Sequence, residues 1–464
     1  MNAEVAYVFR HALLRDAAYQ LQLPGDRARL HALAFELIRM SCGSAPPVPE
    51  NLELPEAAGY RAHPVDPFAW ELAEHARLSG SEAVAGLRTG YLFRAAEFAR
   101  VRFQADTAER AWLEMAEIVS GVERACCFRW AARQMHLAGK LGRAETHLKR
   151  ALSVLREGGH RRDEGLAIGN LALVLQHSGR IDEAMRAHEE ALAVHRKFGD
   201  RRPEATVLGN LALLLRESGQ LETAERAFHE ALAIHRQLGD RHGEGHVQYG
   251  LAGLYRETGR LEPAERAYEA SLAIRRERAD RRDEAVTLGG FANLYRDTGR
   301  LDKSEAAYRD ALAILRQAGD RRFEGVTLAN FAGLLTQTGR VAEARPMLED
   351  ALAIHREVGD RRFEGYTLGN LACAHFDAGY HEGALAEFEA ALSIHREVRN
   401  RRLEGMLLCD LAIRLALIGR VEEARAEWPR GAALLVELSD RRSLEVREVE
   451  MLAACTKAGI PAIL

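Results

Sequence analysis

Asparagine recurs in the middle of helical segments of this sequence, always at the same phase. Asparagine is a middling helix former, because its side chain competes for backbone hydrogen bonds, so its repeated use needs a cause. The amide could bond a bound molecule, or it could pair with a neighbouring part of the fold, as buried amides usually do. The column, interrupted twice by glycine, consists of Asn170, Asn210, Gly250, Gly290, Asn330, Asn370 and Asp410.

Arginine forms a second column at Arg216, Arg256 and Arg296, and each arginine is followed by an acid. On adjacent helices about 10 Å apart, three such arginines would stack along one surface. They could hold an acidic peptide or a carboxylate, which arginine binds in a bidentate manner. Alternatively, each arginine pairs with a nearby acid, as ordinary surface charges do.

Motifs for catalysis and for metal binding are missing from the sequence. It contains no GxSxG, no HExxH and no GxxxxGK[ST], and its six cysteines form no CxxC pair. His195, His235, His355 and His395 occur once per repeat, too far apart to share a zinc ion. We therefore expect no enzyme activity, no cofactor and no metal.

Charge and hydropathy restrict the partners and the compartment. The formal charge is only −4, from 64 basic and 68 acidic side chains. A ladder of Arg-Arg pairs is neutralised locally, as in the segment of residues 200–204, so we expect no nucleic-acid partner. No apolar run is long enough to cross a bilayer, and the cysteines lie in apolar helical contexts. These features favour a cytoplasmic protein with reduced thiols and no membrane partner.

A repeat of 40 residues positions both columns. Glycine stands at 139, 179, 219, 259, 299, 339, 379 and 419, and alanine columns follow in phase on either side. Each unit shows two amphipathic patterns, the first ending at the glycine, which adopts the left-handed cap conformation at little cost. Asp240 and its equivalents stand where the next helix needs an N-cap. A single hairpin cannot bury its apolar face, so successive units must stack.

These columns resemble the tetratricopeptide repeat. With Gly219 as the fifteenth residue of a unit, Leu211, Ala212, Ala224 and Phe228 fall on its signature positions, although the period is 40 residues and not about 34. The resemblance implies an all-α, right-handed α-solenoid of about eight tetratricopeptide hairpins over residues 125–440. We expect a capping helix at 441–464.

The N-terminal region resembles a different junction. The stretch from Tyr7 to Tyr19, with Glu71–His75 and Tyr91–Ala96, is similar to the end of bacterial signalling ATPases of the STAND type and the start of their repeat arms. We therefore divide this region into a helical segment at 1–42, a Pro-rich linker at 43–67 and degenerate helical repeats at 68–124. The ATPase motif itself is absent from the sequence.

In tetratricopeptide arrays, the asparagine edge of the first helix faces a concave groove, where asparagine can bond a peptide backbone. The resemblance therefore implies a protein–protein interaction module of bacterial signalling or regulation that binds a protein or an extended peptide. Two alternatives remain: a ligand-sensing arm that controls an ATPase or kinase, and a self-associating scaffold. The residues that we assign to the groove are Asn170, Asn210, Arg216, Arg256, Asn293, Arg296, Asn330 and Asn370.

Overall fold

The computed structural model describes residues 22–43, 46, 61–102, 104–398, 400–438 and 440–463. Within these ranges the secondary structure is helical, without a strand, and one 3₁₀ turn lies at Asp66–Phe68. Most of the segments 1–42 and 43–67 that we separated by sequence, including the Tyr7–Tyr19 junction, lie outside the described residues. The α-helices are α1 (Pro24–Ser41), α2 (Ala69–Leu78), α3 (Glu82–Ala85), α4 (Arg88–Val101), α5 (Ala105–Ala116), α6 (Gly121–Leu137), α7 (Leu141–Glu157), α8 (Arg161–His177), α9 (Ile181–Phe198), α10 (Arg201–Glu217), α11 (Leu221–Gln237), α12 (Arg241–Glu257), α13 (Leu261–Glu277), α14 (Arg281–Asp297), α15 (Leu301–Ala318), α16 (Arg321–Gln337), α17 (Val341–Val358), α18 (Arg361–Asp377), α19 (His381–Glu397), α20 (Arg401–Leu417), α21 (Val421–Glu437) and α22 (Arg441–Ala458).

The chain forms two compact units. Unit 1 comprises Met1–Leu137 and Thr146–Gly159, and unit 2 comprises Ala138–Glu145 and His160–Leu464. The sequence places the start of the regular array at residue 125, whereas this division comes one hairpin later. The boundary between degenerate and regular repeats therefore stays a prediction.

Unit 1 is organised around a buried ion pair and a group of aromatic rings. Arg94 and Asp66 are each 2% exposed, and Arg94 Nε donates to Asp66 Oδ1 at 2.7 Å. This pair fixes the segment before α2 against α4. The Trp112 and Trp130 rings stack at 6.0 Å, which packs α5 onto α6.

Unit 2 is a stack of helical hairpins, from α8–α9 to α20–α21, followed by α22. In each hairpin the two helices cross where the side chains are small, since the alanines in phase with Ala212 and with Ala224 are fully buried. Ser304 replaces one of these alanines, and its hydroxyl donates to the Ala292 carbonyl at 2.8 Å. The predicted all-α solenoid of repeated hairpins is confirmed.

The predicted N-caps are present with one instructive exception. The side chains of Asp240, Asp280, Asp320, Asp360, Asn400 and Asp440 each accept a hydrogen bond from the backbone N–H three residues on. Asp200 makes no such bond. The residue three positions after Asp200 is Pro203, which has no N–H to donate.

Gly219 and Gly179, at the ends of first helices, each meet two requirements. Gly219 has φ +79°, a left-handed conformation that favours glycine. It also lies against a distant part of unit 2, since a Cβ atom there would come within 2.6 Å of the Leu438 carbonyl oxygen. Gly179 has the same relationship to Val398, at 1.9 Å. These two first-helix ends thus pack against second-helix ends about five and a half units further along the chain.

Candidate functional site

The first helices of unit 2 form the face that carries both polar columns. Each of α8, α10, α12, α14, α16 and α18 contacts the first helix of the next hairpin as well as its own partner helix. First helices therefore lie on the inner side of the stack, and their polar side chains face one another across neighbouring units. All eight residues assigned to the groove by sequence stand on these helices, and each is partly exposed.

The asparagines divide into two groups. Asn293 accepts a hydrogen bond from Tyr308 Oη at 2.8 Å and donates to the Gly289 carbonyl at 3.1 Å. Asn330 accepts from Tyr366 Oη at 3.4 Å. These two amides are thus used within the fold, which is the structural role that the sequence left open.

The second group consists of Asn170, Asn210 and Asn370. In the described part of the chain, no residue hydrogen-bonds any of these three side chains, although all are half-buried on the inner face. Each amide therefore retains two donors and an acceptor for a partner from outside. The structure brings Asn170 and Asn210 onto adjacent first helices and places Asn370 four units further on.

Glycine interrupts the column where an aromatic ring takes the space. A Cβ atom at Gly250 would come within 2.5 Å of the Phe228 ring, and one at Gly290 within 2.5 Å of the Tyr268 ring. In these two units a buried ring of the preceding second helix takes the place of the amide. The residue type at each position of the column thus depends on local packing as well as on polarity.

The arginines of the Arg216 column form ion pairs between units. Arg216 Nε lies 3.6 Å from Glu257 Oε2, and Arg256 Nη1 lies 2.8 Å from Asp297 Oδ2, so each arginine meets the acid of the following unit. Although burial acts to lower the pKa of Arg216, Glu257 and Glu217 outweigh it and raise the pKa. The arginines are therefore charged, and two of them are largely neutralised by the fold.

Arg296 is the last arginine of this column. The following unit has Gln337 where an acid would be needed, and Arg296 Nε lies 3.9 Å from Asp297, which already binds Arg256. Its guanidinium lies beside Gly333, whose missing side chain leaves room for it. Of the three arginines in the column, Arg296 has the weakest pairing.

The Arg-Arg pairs are also engaged inside the fold. The first arginine of a pair binds the glutamate three residues on, for example Arg281 with Glu284 at 2.6 Å. The second arginine reaches the N-cap aspartate of the next unit, for example Arg282 with Asp320 at 2.6 Å. The first bond stays within one helix and the second joins one hairpin to the next, which explains why both arginines are repeated.

Arg362 departs from this pattern. The next N-cap is Asn400 and not an aspartate, and Arg362 Nη1 instead donates to Glu217 Oε1 at 3.1 Å. Burial acts to raise the pKa of Glu217, but Arg362 and a hydrogen bond from Gln176 outweigh it, so the pKa lies below its usual value. A polar cavity of about 110 Å³ surrounds this pair, with Arg216, Glu257 and Asn400 in its wall. Neither Arg362 nor Asn400 is among the residues predicted for the site, although the break in the aspartate column was a signal for both.

The histidine column is part of the core. His195, His235, His355 and His395 are each at most 2% exposed. Glycine makes room for such a ring in the facing helix, since a Cβ atom at Gly325 would come within 2.8 Å of the His355 ring. These side chains pack between helices, in agreement with their wide spacing.

One group of potential metal ligands occurs among the described residues, at His242, Asp280 and Asp283. Arg275, which replaces the column histidine in this unit, lies in the same place, with Nη1 2.7 Å from Asp283 and 3.2 Å from His242. The guanidinium already supplies the positive charge that a metal ion would bring. We therefore assign this group to the fold.

Comparison with known proteins identifies the repeat. A model of the tetratricopeptide repeat matches residues 203–277 and 283–357, and a second model of the same repeat matches residues 166–198 and 365–402. None of the curated proteins matches the chain in sequence. Within the described ranges no helix is both long enough and apolar enough to cross a membrane.

Solved structures share the architecture at low sequence identity. A Rap protein complexed with competence and sporulation factor is 15% identical, with a TM-score of 0.57 over 75% of this chain and 97% of the other. The Rap conjugation gene regulator of plasmid pLS20, complexed with the Phr* peptide, is 15% identical, with a TM-score of 0.52 over 72% of this chain and 95% of the other. At this identity the likeness concerns the fold. The hairpins over the matched ranges are tetratricopeptide repeats, and unit 2 folds as a tetratricopeptide-repeat solenoid.

Proposed function

We propose that the inner face of unit 2 binds a protein or an extended peptide and that this binding serves a regulatory role. The observation that carries the proposal is the group of three asparagines, Asn170, Asn210 and Asn370, whose half-buried amides have no hydrogen-bond partner within the described residues. Because these amides are accessible and make no bond within the described residues, they can bond a partner without breaking a bond of the fold. The backbone of a peptide ligand offers the matching donors and acceptors.

The spacing of the first helices suits an extended chain. Neighbouring first helices are about 10 Å apart, and an extended peptide rises about 3.3 Å per residue. Asn170 and Asn210 would therefore meet backbone groups about three residues apart. Weak contacts of this kind add along the array when one ligand spans them.

Arg296 adds a charge to this surface. As the arginine with the weakest pairing in its column, it is the position on the inner face where an acidic side chain or a terminal carboxylate would find a guanidinium. The two Rap relatives of similar fold are complexed with a signalling factor and a peptide, which is the precedent for a regulatory role. We extend that precedent to this chain as a bacterial signalling module.

Selection from a random peptide library displayed on phage tests the proposal. We expect the full chain to enrich peptides that bind in the micromolar range, and the triple variant Asn170→Ala, Asn210→Ala, Asn370→Ala to bind them at least tenfold more weakly. Alanine is the better helix former and leaves no buried group unpaired at these positions, so the variant should fold. Arginine variants are less suitable, because they would leave Glu257 or Asp297 without its partner.

A matched triple variant on the outer surface provides the control. Glu189, Glu269 and Glu389 occupy equivalent exposed positions on second helices. Their replacement by alanine should leave peptide binding unchanged. Equal binding by the asparagine triple variant and the wild type would contradict the proposal.

A further inference from the structure

A second cavity lies on unit 2, away from the inner face. It is an open depression of about 450 Å³ between α11, α12 and α13, with Leu232, Leu251 and Ala267 among its apolar walls. This volume falls within the range of small-molecule sites, which is about 300–1,000 Å³. Neighbouring hairpins are built on the same pattern, so the residues that make this one different indicate what it could bind.

Gln248 is the first such residue. The equivalent positions in the other units of the array are occupied by Ile168, Leu208, Leu288, Leu328, Leu368 and Leu408. Gln248 is only 8% exposed, and no described residue hydrogen-bonds its amide. Its side chain contributes to the cavity wall. An amide in place of an aliphatic side chain gives this wall hydrogen-bond donors and an acceptor that the other hairpins of unit 2 lack there.

Ala270 is the second departure. Four other hairpins of unit 2 carry an acid at the equivalent position, at Glu190, Glu230, Asp310 and Asp350, and the remaining two carry Ala390 and Arg430. With alanine here, the cavity gains space and its wall loses a negative charge. Among the hairpins of unit 2, the alanine and the amide occur together in this one alone, since Ala390 is accompanied by Leu368.

Arginines give the cavity its charge. Arg236, Arg260 and Arg266 contribute to its wall, and no acid does. Arg236 and Arg260 bind Glu244 and Glu225 outside the cavity, at 2.9 and 2.8 Å. Arg266 has a weaker partner, Glu262, at 3.8 Å, and its side chain is 68% exposed. The wall therefore favours an anion.

We propose that this cavity binds a small carboxylic acid with an apolar body. The body lies against Leu232, Leu251 and Ala267, its polar head completes the hydrogen bonds of the Gln248 amide, and its negative charge lies in the field of the arginines. This site is independent of the asparagines of the inner face. It gives the array a place for a small molecule in addition to a peptide.

Octanoate and 4-phenylbutyrate are suitable probes, with octanamide and 4-phenylbutyramide as their neutral counterparts. Saturation-transfer NMR and calorimetry on the full chain should show saturable binding of at least one acid, and binding of its amide at least fivefold weaker. Gln248→Leu, which restores the residue type of the other units, should fold and should weaken binding at least tenfold. Arg266→Ala should weaken it several-fold.

Arg226 is the matched control, since it occupies the equivalent exposed position one unit earlier. Arg226→Ala should leave acid binding unchanged, as should the asparagine triple variant. Failure of both acids to bind, equal binding of acid and amide, or full binding by Gln248→Leu would each overturn the proposal. Because the asparagine variant tests the inner face separately, either site can fail without the other.

Discussion

Arg362 donates to Glu217 at 3.1 Å across 145 positions of sequence. The pair joins the start of α18 to the end of α10, two first helices that are not neighbours in the stack. In equivalent units the second arginine is taken by the next N-cap, as Arg322 is by Asp360 at 2.7 Å. Asparagine at position 400 leaves Arg362 available for this long-range contact.

A double-mutant cycle on Glu217→Gln and Arg362→Gln should give a coupling of about 0.5–1 kcal/mol, the size expected for a pair that is partly exposed to water. We expect the coupling to shrink at high salt, since ions screen charges near the surface. Urea unfolding at two salt concentrations measures it.

The cap residue provides the control for this cycle. Asn400→Asp should draw Arg362 to the cap and reduce its coupling to Glu217, while the cap bond to the Leu403 N–H is retained. A coupling that is unchanged in Asn400→Asp would show that the cap does not decide where Arg362 binds.

Because several of its histidines are buried, we expect the protein to lose stability in acid. Burial lowers the pKa of His188 to about 4, and burial with Arg362 does the same for His395. The unfolded chain takes up these protons near pH 6.5 and the folded chain only near pH 4. Stability is therefore complete above about pH 6.5 and falls between these values, by roughly 3 kcal/mol per histidine.

His188→Phe should remove the part of this loss of stability that His188 contributes. The variant should fold, because Phe228 and Phe388 fill the equivalent place in other units. Urea midpoints at pH 7, 5.5 and 4.5 should fall less steeply for the variant than for the wild type. Parallel curves would contradict the assignment of a neutral, buried His188.

The effects of substitutions at Gly365 and His395 on the free energy of unfolding should be coupled. A Cβ atom at Gly365 would come within 2.9 Å of Ile394 and 3.0 Å of the His395 ring. Gly365→Ala should therefore destabilise the fold by about 1–3 kcal/mol, although alanine is the better helix former. The double variant Gly365→Ala, His395→Leu should recover most of the loss, because the chain already uses Ala285 with Leu315 at these positions. Thermal unfolding of the three proteins tests this, and an additive result would contradict it.

Truncation to alanine should change the free energy of unfolding by different amounts in the two groups of asparagines. Asn293→Ala leaves the Tyr308 hydroxyl without its acceptor and should cost about 1 kcal/mol. Asn210→Ala breaks no bond of the fold and should be neutral or slightly stabilising. Similar losses for both variants, measured by urea unfolding, would show that Asn210 also has a structural role.

The fold could be predicted because its physical causes repeat. The period of 40 residues, the left-handed glycine and the N-cap aspartate act within one hairpin, and each is visible in the sequence. Even the missing cap bond of Asp200 follows from Pro203. Packing of a small residue at a helix crossing is equally local.

The candidate site was less predictable because its contacts join different units. Asn330 and Asn170 stand at the same phase of the repeat, yet Tyr366 bonds one and no described residue bonds the other. Arg256 could be placed on the inner face, but not paired with Asp297 of the next unit. Gln248 stands in the sequence as a single break in an aliphatic column, and its meaning depends on the cavity beside it.

The packing of Gly179 against Val398 and of Gly219 against Leu438 limits how such a protein can change its length in evolution. Both contacts join the end of a first helix to the end of a second helix. Insertion or loss of a whole hairpin brings an equivalent helix end into the same place, whereas a partial unit brings the wrong surface. Evolutionary variants of this protein should therefore differ in length by multiples of 40 residues within the array.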